Sequence, residues 1–200
     1  MSDAKAEATG GAADERPSPA RAIDGRASRV RVRTRATGLF ARVAHDLELE
    51  ASELEGTVEH DGDAWRLELV CTVRGLRVAG VVRQGKLDRG VLSASDVAEI
   101  ERKLKEEVLL GARIEVRGAG DRRRGELTVT APRGEQKVAV SPRITIAGAA
   151  TTAEAEACLS LARLGIAEIK GPLGAFKVHD EVAVRAKVVL AECGSRAEFV

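Results

Sequence analysis

The sequence predicts an all-β protein, an eight-stranded antiparallel up-and-down barrel with one inserted amphipathic helix. Apolar and polar residues alternate through most segments after about residue 28, as in strands with one buried face. These segments follow one another with turn residues between them, and only one segment shows helical spacing. Sequential strands of even spacing favour a barrel over a sandwich, because closure removes exposed strand edges.

The N-terminal segment differs in composition from the rest of the chain. Residues 1–27 are rich in Ala, Gly, Ser, Pro and mixed charge, which predicts a disordered tail. We expect the barrel domain over residues 28–193 and a short C-terminal tail over 194–200. The first tail has no long apolar stretch and contains acidic residues, unlike a signal or transit peptide, so a cytoplasmic location is expected.

The first strand is predicted over residues 29–36, where Val30 and Val32 alternate with Arg31 and Arg33. Residues 152–161 have high helix propensity, but their strict alternation of apolar and polar positions predicts a strand. The other predicted strands are 39–51, 54–60, 65–73, 113–117, 126–130, 137–146 and 177–191.

A single helix is predicted over residues 97–108, where apolar side chains recur at steps of three and four. Ser93, Ser95 and Asp96 are N-cap candidates, and Gly111 can end the helix. Its apolar stripe is expected to lie against one end or side of the sheet.

Composition excludes several function classes. Lysine and arginine number 32 against 31 acidic residues, so the net charge of +1 does not indicate a nucleic-acid or membrane partner. Three Phe, one Trp and no Tyr provide few stacking surfaces for single-stranded nucleic acid. Cys71, Cys158 and Cys193 are scattered and odd in number, which argues against a disulfide framework and a zinc site.

His45 lies on the apolar parity of the predicted strand 39–51 and is expected to point inward. It can contact the polar head of an apolar ligand, act as a base, or be a core histidine bonded to a backbone carbonyl. His60 and His179 are expected at the surface. The pairs His45-Asp46 and His179-Asp180 are strand neighbours that point to opposite faces, so neither is a catalytic pair.

No recognised nucleophile, phosphate-loop or metalloprotease motif occurs in the sequence. We therefore expect a protein that is not an enzyme and that has no cofactor or metal.

Two arginine groups are candidates for binding phosphate or an acidic partner: the arginine face of strand 29–36 and the run 122–124. The favoured interpretation is a solvated outer surface, because glutamates on neighbouring segments are available to pair across strands. These glutamates are Glu48, Glu50, Glu53 and Glu55.

Three segments together resemble the YceI-like, lipocalin-like polyisoprenoid-binding family. The first is residues 37–49 (TGLFARVAHDLEL), and the second is the helical segment 95–109 (SDVAEIERKLKEEVL). The third consists of residues 164–166 (LGI) followed by 174–182 (GAFKVHDEV). Their order and spacing are similar to the family's across about residues 29–192.

This resemblance implies an elongated apolar pore that holds an isoprenoid chain or a similar lipid, with the helix packed at the side of the barrel. By position, the residues implied to line or adjoin the pore are Val43, His45, Leu47, Trp65, Leu67, Leu69, Phe176, Val182 and Val184. The expected function is non-catalytic lipid binding or carriage; the alternative is an interaction or stress-associated protein whose barrel is closed and dry. The expected partner is an apolar small molecule, without nucleic acid or stable membrane insertion, and a homodimer stays open.

Overall fold

A computed structural model of the chain describes residues 20–38, 45–147, 150–171 and 176–191. Within these ranges the chain forms short strands joined mostly by tight turns. The strands are β1 Arg21–Ala22, β2 Arg29–Arg33, β3 Ala36–Thr37, β4 Asp46–Ala51, β5 Leu54–Asp61, β6 Ala64–Thr72, β7 Leu76–Arg83, β8 Lys86–Asp88, β9 Arg113–Gly120, β10 Gly125–Ala131, β11 Gly134–Val140, β12 Arg143–Ala147, β13 Ala150–Ser160, β14 Lys177–Val178 and β15 Glu181–Leu190. The α-helix, α1, is Ala94–Lys103.

Two large antiparallel sheets and one small sheet contain these strands. The six-stranded sheet has the order β1-β5-β6-β9-β10-β11, and the seven-stranded sheet has the order β12-β13-β15-β2-β4-β7-β8. The small sheet pairs β3 with β14. The predicted class, all-β with antiparallel strands and one helix, is confirmed.

The core lies between the inner faces of the two large sheets. One buried cluster joins Leu54 and Leu69 of the six-stranded sheet to Val188 and Leu190 of the seven-stranded sheet. A second cluster consists of Val129, Ala131, Leu159, Leu164 and Val182. Alternating apolar residues on both sheets therefore remove one another from water, which is the main stabilising contribution to such a fold.

The outer face of the seven-stranded sheet carries cross-strand ion pairs. The Nε of Arg31 donates to Glu50 Oε2 at 3.0 Å, and Arg33 donates to Glu48 at 2.5 Å. Their strands pair in register, which places each arginine opposite its glutamate. The predicted cross-strand pairing is confirmed for Glu48 and Glu50, but Glu48 is 2 % exposed, so this pair is not part of the solvated surface that was predicted.

Strand β1 connects the two large sheets. Arg21 is paired with Val58 in β5, while the backbone N–H of Asp24 donates to the carbonyl of Val189 at 2.8 Å. Ala22 accepts a hydrogen bond from the backbone of Ala191 at 2.9 Å. The barrel domain was predicted to begin at residue 28, but the sheet already includes residues 21 and 22, so that boundary is placed too late.

No backbone ladder joins β11 to β13 in the described part of the chain, although the two strands run side by side. A side-chain hydrogen bond links them: the backbone N–H of Ser160 donates to Gln136 Oε1 at 2.8 Å. We call this unladdered boundary the seam. A closed eight-stranded barrel is therefore not found: the described strands form three sheets.

The break at the seam coincides with Pro142, which separates β11 from β12. Proline has no backbone N–H to donate and interrupts a strand. Residues 137–146, predicted as one strand, are consequently two, and β12 pairs with β13 where β11 does not.

Helix α1 begins at a capping box. The N–H of Asp96 donates to Ser93 Oγ at 3.2 Å, and the N–H of Ser93 donates to Asp96 Oδ2 at 3.0 Å, so two otherwise orphaned backbone donors are satisfied. After Lys103 the helix widens into a π-helical turn, Leu104–Val108. Leu104 and Leu109 pack against the buried cluster Leu49, Ala51 and Leu76.

Strands β7 and β8 were not predicted from the sequence. A β-bulge between Glu48 and Leu49 shifts the register of β4 against β7, and Gly80 lies in the shifted stretch. An extra residue in one strand reverses which of its alternating positions face inward. The sequence of that strand therefore does not show one regular alternation of apolar and polar residues. The strand predicted over 39–51 is described from Asp46 onward, since residues 39–44 lie outside the described ranges.

Candidate apolar ligand site

One cross-strand row of the six-stranded sheet contains the only tryptophan of the chain. Trp65 in β6 is paired with Gly120 in β9, Gly120 with Gly125 in β10, and Gly125 with Val140 in β11. Side chains at paired positions lie on the same face of a sheet. Val140 is buried, so this row belongs to the inner face.

The indole of Trp65 packs against the glycines of this row. A Cβ on Gly120 would lie 2.9 Å from Cζ2 of the indole, and a Cβ on Gly125 would overlap the same ring edge. Only residues without a side chain leave room for the ring here. At its polar edge, Trp65 Nε1 donates to the carbonyl oxygen of Asp121 at 2.7 Å, which fixes the orientation of the ring.

A cleft of about 620 Å³ opens at this end of the six-stranded sheet. Three of its lining residues, Gly120, Gly125 and Val140, belong to the tryptophan row. The full lining consists of Gly120, Asp121, Arg124, Gly125, Ala139, Val140 and Ser141.

Small residues occupy the inner face of the opposite sheet. Ala155 in β13 is paired with Ala186 in β15, and Ala157 with Val184. All four are half-buried, whereas their outward neighbours Glu154, Glu156 and Arg185 are exposed. Short side chains on this wall fill less of the space between the sheets than longer apolar side chains would.

Several inner-face residues of the six-stranded sheet are also only half-buried. Leu67, Gly118, Leu127 and Val138 form one row across β6, β9, β10 and β11. Each keeps part of its surface accessible to solvent, although the next inward position on β6, Leu69, is buried. Accessible apolar surface between two sheets is the property expected of a site for an apolar ligand.

The β9–β10 turn supplies the polar groups at the cleft. Asp121 Oδ1 accepts the backbone N–H groups of Arg123 and Arg124 at 2.7 and 2.9 Å. These hydrogen bonds lower the pKa of Asp121 below its ordinary value, so the carboxylate stays ionised and holds the turn in shape. The side chain of Arg124 is 88 % exposed.

The structure brings several of the predicted site residues to the inner faces. Trp65 and Leu67 are half-buried on β6, and Leu69 is buried below them in the first core cluster. Val182 is buried in the second core cluster, and the half-buried Val184 packs against that cluster.

The remaining predicted site residues do not join this group. His45 is exposed immediately before β4, so the expectation that it points inward is wrong, and Leu47 is half-buried within β4. Phe176 packs on Gly171 near the β14 strand, away from the tryptophan row. Val43 lies outside the described residues.

The glycines that pack near the indole were not predicted, because residues 118–125 were interpreted as a break between strands. Gly118 and Gly120 share the parity of Val116, and Gly125 stands in register with Gly120. Glycines at alternate positions of a strand signal close approach of another group, and the single Trp65 was available as that group.

The other charged and nucleophilic groups form structural contacts. Ser160 Oγ donates to Asp180 Oδ2 at 2.7 Å, while Nδ1 of His179 accepts the backbone N–H of Glu181 at 3.0 Å. The histidine does not contact the serine, whereas in a catalytic triad a histidine accepts the proton of the serine hydroxyl.

Within the described ranges, His, Cys, Asp and Glu side chains form no group of three or more able to hold a metal ion. None of the helical segments described has the length and apolar character needed to span a bilayer.

Comparison with known proteins identifies the fold. No family model matches the chain, and no curated protein matches it in sequence. Among solved structures, the crystal structure of BcnA from Burkholderia cenocepacia matches with a TM-score of 0.57 over 84 % of this chain and 99 % of that chain. The two proteins share a fold. Their sequences are 13 % identical, so the likeness with BcnA is one of architecture.

Proposed function

We propose that this protein binds an apolar lipid, of the isoprenoid-chain type, between its two large sheets and catalyses no reaction. The observation that carries the proposal is the group of inner-face apolar residues that stay half-buried around Trp65, Leu67, Ala155 and Ala186. An unliganded apolar surface of this kind costs free energy, about 25 cal/mol for each Å² left in water, and a lipid chain would remove it from water.

The isoprenoid-type ligand is supported by sequence: segments 37–49, 95–109, 164–166 and 174–182 resemble the YceI-like polyisoprenoid-binding family. The fold shared with BcnA supports the two-sheet architecture in which such a ligand would lie. We infer a barrel-like enclosure in which the two sheets form the walls and β1 joins them at one side.

A second candidate is a protein with a dry interior that acts through its surface. The two buried clusters that join the sheets favour it, since Leu54, Leu69, Val129 and Leu159 already fill much of the core. This candidate predicts that no lipid enters at all.

The two candidates are separated by lipid extraction with mass spectrometry and by titration with an apolar fluorescent probe. The variant Ala186→Leu adds three heavy atoms on the inner face, beside Ala155. Ala183→Leu makes the same change at an exposed outward position of the same strand.

If lipid binds between the sheets, the wild type and Ala183→Leu carry lipid and take up the probe, and Ala186→Leu binds at least about tenfold more weakly. The lipid-binding proposal is refuted if the purified protein contains no lipid and the wild type takes up no probe. The cytoplasmic location stays a prediction, which cell fractionation would check. A homodimer stays open, and light scattering would decide it.

A further inference from the structure

Strand β12 lies at one edge of the seven-stranded sheet. β13 pairs with it along one side, and no strand in the described ranges pairs with its other side, which we call the outer edge. The residues of β12 are exposed except for the half-buried Ile144. Ile146 is 63 % exposed and is one of two exposed large apolar side chains in the described part of the chain. An unpaired strand edge is a template on which another strand can form backbone hydrogen bonds.

The other sheet edges are protected against such pairing, whereas β12 is not. β8 has three residues, of which Lys86 and Asp88 are charged, and β11 carries Glu135 and Lys137. β1 has two residues and already accepts a hydrogen bond from the C-terminal segment. In β12 the sole charge is on the first residue, Arg143, and the Ile-Thr-Ile-Ala sequence that follows is uncharged. Charges are the usual means of keeping an edge strand from pairing, so the outer edge of β12 is open to a partner.

The hydrogen bonds of β13 give the direction of each backbone group in that strand. The N–H of Leu161 donates to the carbonyl of Asp180, immediately before β15, at 2.9 Å. The N–H of Ser160 donates away from β15, to the side chain of Gln136. Successive residues of a strand direct their N–H and C=O groups to alternate sides. The even-numbered residues of β13 therefore direct these groups towards β12, and the odd-numbered residues direct them towards β15.

Two residues of β12 consequently direct their backbone groups to the outer edge. The even-numbered Thr152 stands opposite Thr145, so Thr145 is hydrogen-bonded to β13. Its neighbours Ile144 and Ile146 point their N–H and C=O groups the other way, where no described segment accepts or donates. The outer edge thus presents two donors and two acceptors at the spacing of an antiparallel ladder.

The sequence of β12 is complementary to itself when two copies run antiparallel about Thr145. In that register Ile144 faces the second copy's Ile146, and Arg143 faces the second copy's Ala147. The two arginines then lie about 13 Å apart along the strand direction, so like charges do not meet. The isoleucines that face each other are also the residues whose backbone groups point to the outer edge. They can therefore exchange both hydrogen bonds of an antiparallel pair.

We propose that this protein forms a two-fold homodimer in which the outer edges of two β12 strands pair antiparallel and join the two seven-stranded sheets. The isoleucines of both copies lie on one face of the joined sheet, because paired residues share a face, and they cover one another's exposed surface. A two-fold pairing uses both outer edges, so assembly stops at two copies. The proposal does not depend on lipid binding, since the outer edge lies apart from the residues assigned to the lipid.

Sedimentation velocity from about 1 to about 500 μM tests the dimer, since so small an interface predicts a Kd of about 10–100 μM. The variant Ile146→Lys places a charge opposite the second copy's Ile144. Its matched control, Leu110→Lys, makes the same change at the other exposed large apolar side chain. We expect the wild type and Leu110→Lys to dimerise alike and Ile146→Lys to dimerise at least about tenfold more weakly, because the lysine charge loses water in the interface.

Cysteine cross-linking tests the register independently of Ile146→Lys. In a Cys158→Ser/Cys193→Ser background, Thr145→Cys places two thiols at a non-hydrogen-bonded pair, where the Cα atoms are about 4.5 Å apart and a disulfide fits. Ala147→Cys is the control, because it is exposed like Thr145 and on the same face, but its two thiols would lie about 13 Å apart. A mild thiol oxidant should cross-link Thr145→Cys at least about tenfold faster than Ala147→Cys.

Four results would overturn the inference. The wild type stays monomeric through the whole concentration range, or it forms assemblies larger than two copies. Ile146→Lys, shown to be folded by circular dichroism, dimerises like the wild type. Ala147→Cys cross-links as fast as Thr145→Cys, which would mean that the copies meet by chance or in another register. The cross-linking comparison decides the proposal even if Ile146→Lys does not fold.

Discussion

Arg21 Nη1 donates to Thr151 Oγ1 at 2.9 Å, which joins residues 130 positions apart in the chain. Arg21 belongs to β1 at the edge of the six-stranded sheet, and Thr151 belongs to β13 of the other sheet. Nη2 of Arg21 also donates to the carbonyl of Ala191 at 2.9 Å. One side chain thus fastens the two walls of the proposed site to each other.

Thr151→Val removes the acceptor for Arg21 and keeps the β-branched shape. We expect the free energy of unfolding to fall by about 1–2 kcal/mol, because a part-buried charge-assisted hydrogen bond is lost. Urea denaturation checks this value. The control is Thr152→Val, which changes the opposite face of the same strand and should stay within about 0.5 kcal/mol of wild type. Equal losses in the two variants would contradict a specific role for the Arg21 contact.

Gly125→Ala places a methyl group where the indole of Trp65 lies. The ring must move, and we expect a loss of about 1–3 kcal/mol in stability together with a red shift of the tryptophan emission. Gly90→Ala is the control, since its Cβ would meet Asp88 Oδ1 at an ordinary 3.6 Å. An unchanged emission spectrum in Gly125→Ala would show that the indole does not lie on the glycine row.

Cys71 and Cys158 should differ in reactivity. Burial raises the pKa of the Cys71 thiol to about 11, so only about 0.1 % of it is thiolate at pH 8, while Cys158 is exposed on the outer face. Iodoacetamide at pH 8 should label Cys158 at least about tenfold faster than Cys71, as measured by peptide mass spectrometry. In urea the two rates should converge; a fast Cys71 in the native protein would refute its burial.

Asp180 should make stability depend on acid. A hydrogen bond from the Ser160 hydroxyl and another from the backbone N–H of Ala162 lower the pKa of Asp180 in the folded protein. A lowered folded pKa gives stability that is present above the unfolded value, about 3.9, and is lost as the pH falls through the folded value. Asp180→Asn should therefore lower the urea midpoint at pH 7, with the difference from wild type shrinking below about pH 4. A difference that is constant from pH 7 to pH 2 would show that ionisation of Asp180 plays no part.

Alternation alone predicted the strands where it was strict. The pattern Val30, Arg31, Val32, Arg33 became β2, and the alanine-rich stretch predicted as a strand became β13 against its helix propensity. In both cases burial of one face between the sheets decided the structure. Intrinsic propensity is a weaker influence than such tertiary burial.

Local pattern could not predict features that depend on a partner strand. The bulge beside Glu48 hid β7, and the exposure of His45 depends on where β4 begins rather than on the parity of its residues. Predicting the tryptophan row requires the register of β6, β9, β10 and β11, and these strands become neighbours only when the chain folds. Sequence therefore predicted Trp65, Leu67 and Leu69 on one face but not the glycines on which the indole rests.

The attachment of β1 also has a consequence for how the chain is made. Arg21 meets Ala191 across a separation of 170 residues, so the first described strand completes its contacts with nearly the last one. Contacts of such long range slow folding, because the entropy of closing the loop is lost before the contacts form. A chain leaving the ribosome can pair β1 with β5, but β1 lacks its contacts with the C-terminal segment until that segment has emerged. Final assembly of this fold therefore waits until β15 has left the ribosome, and apolar strands made early depend on chaperones or on fast local pairing until then.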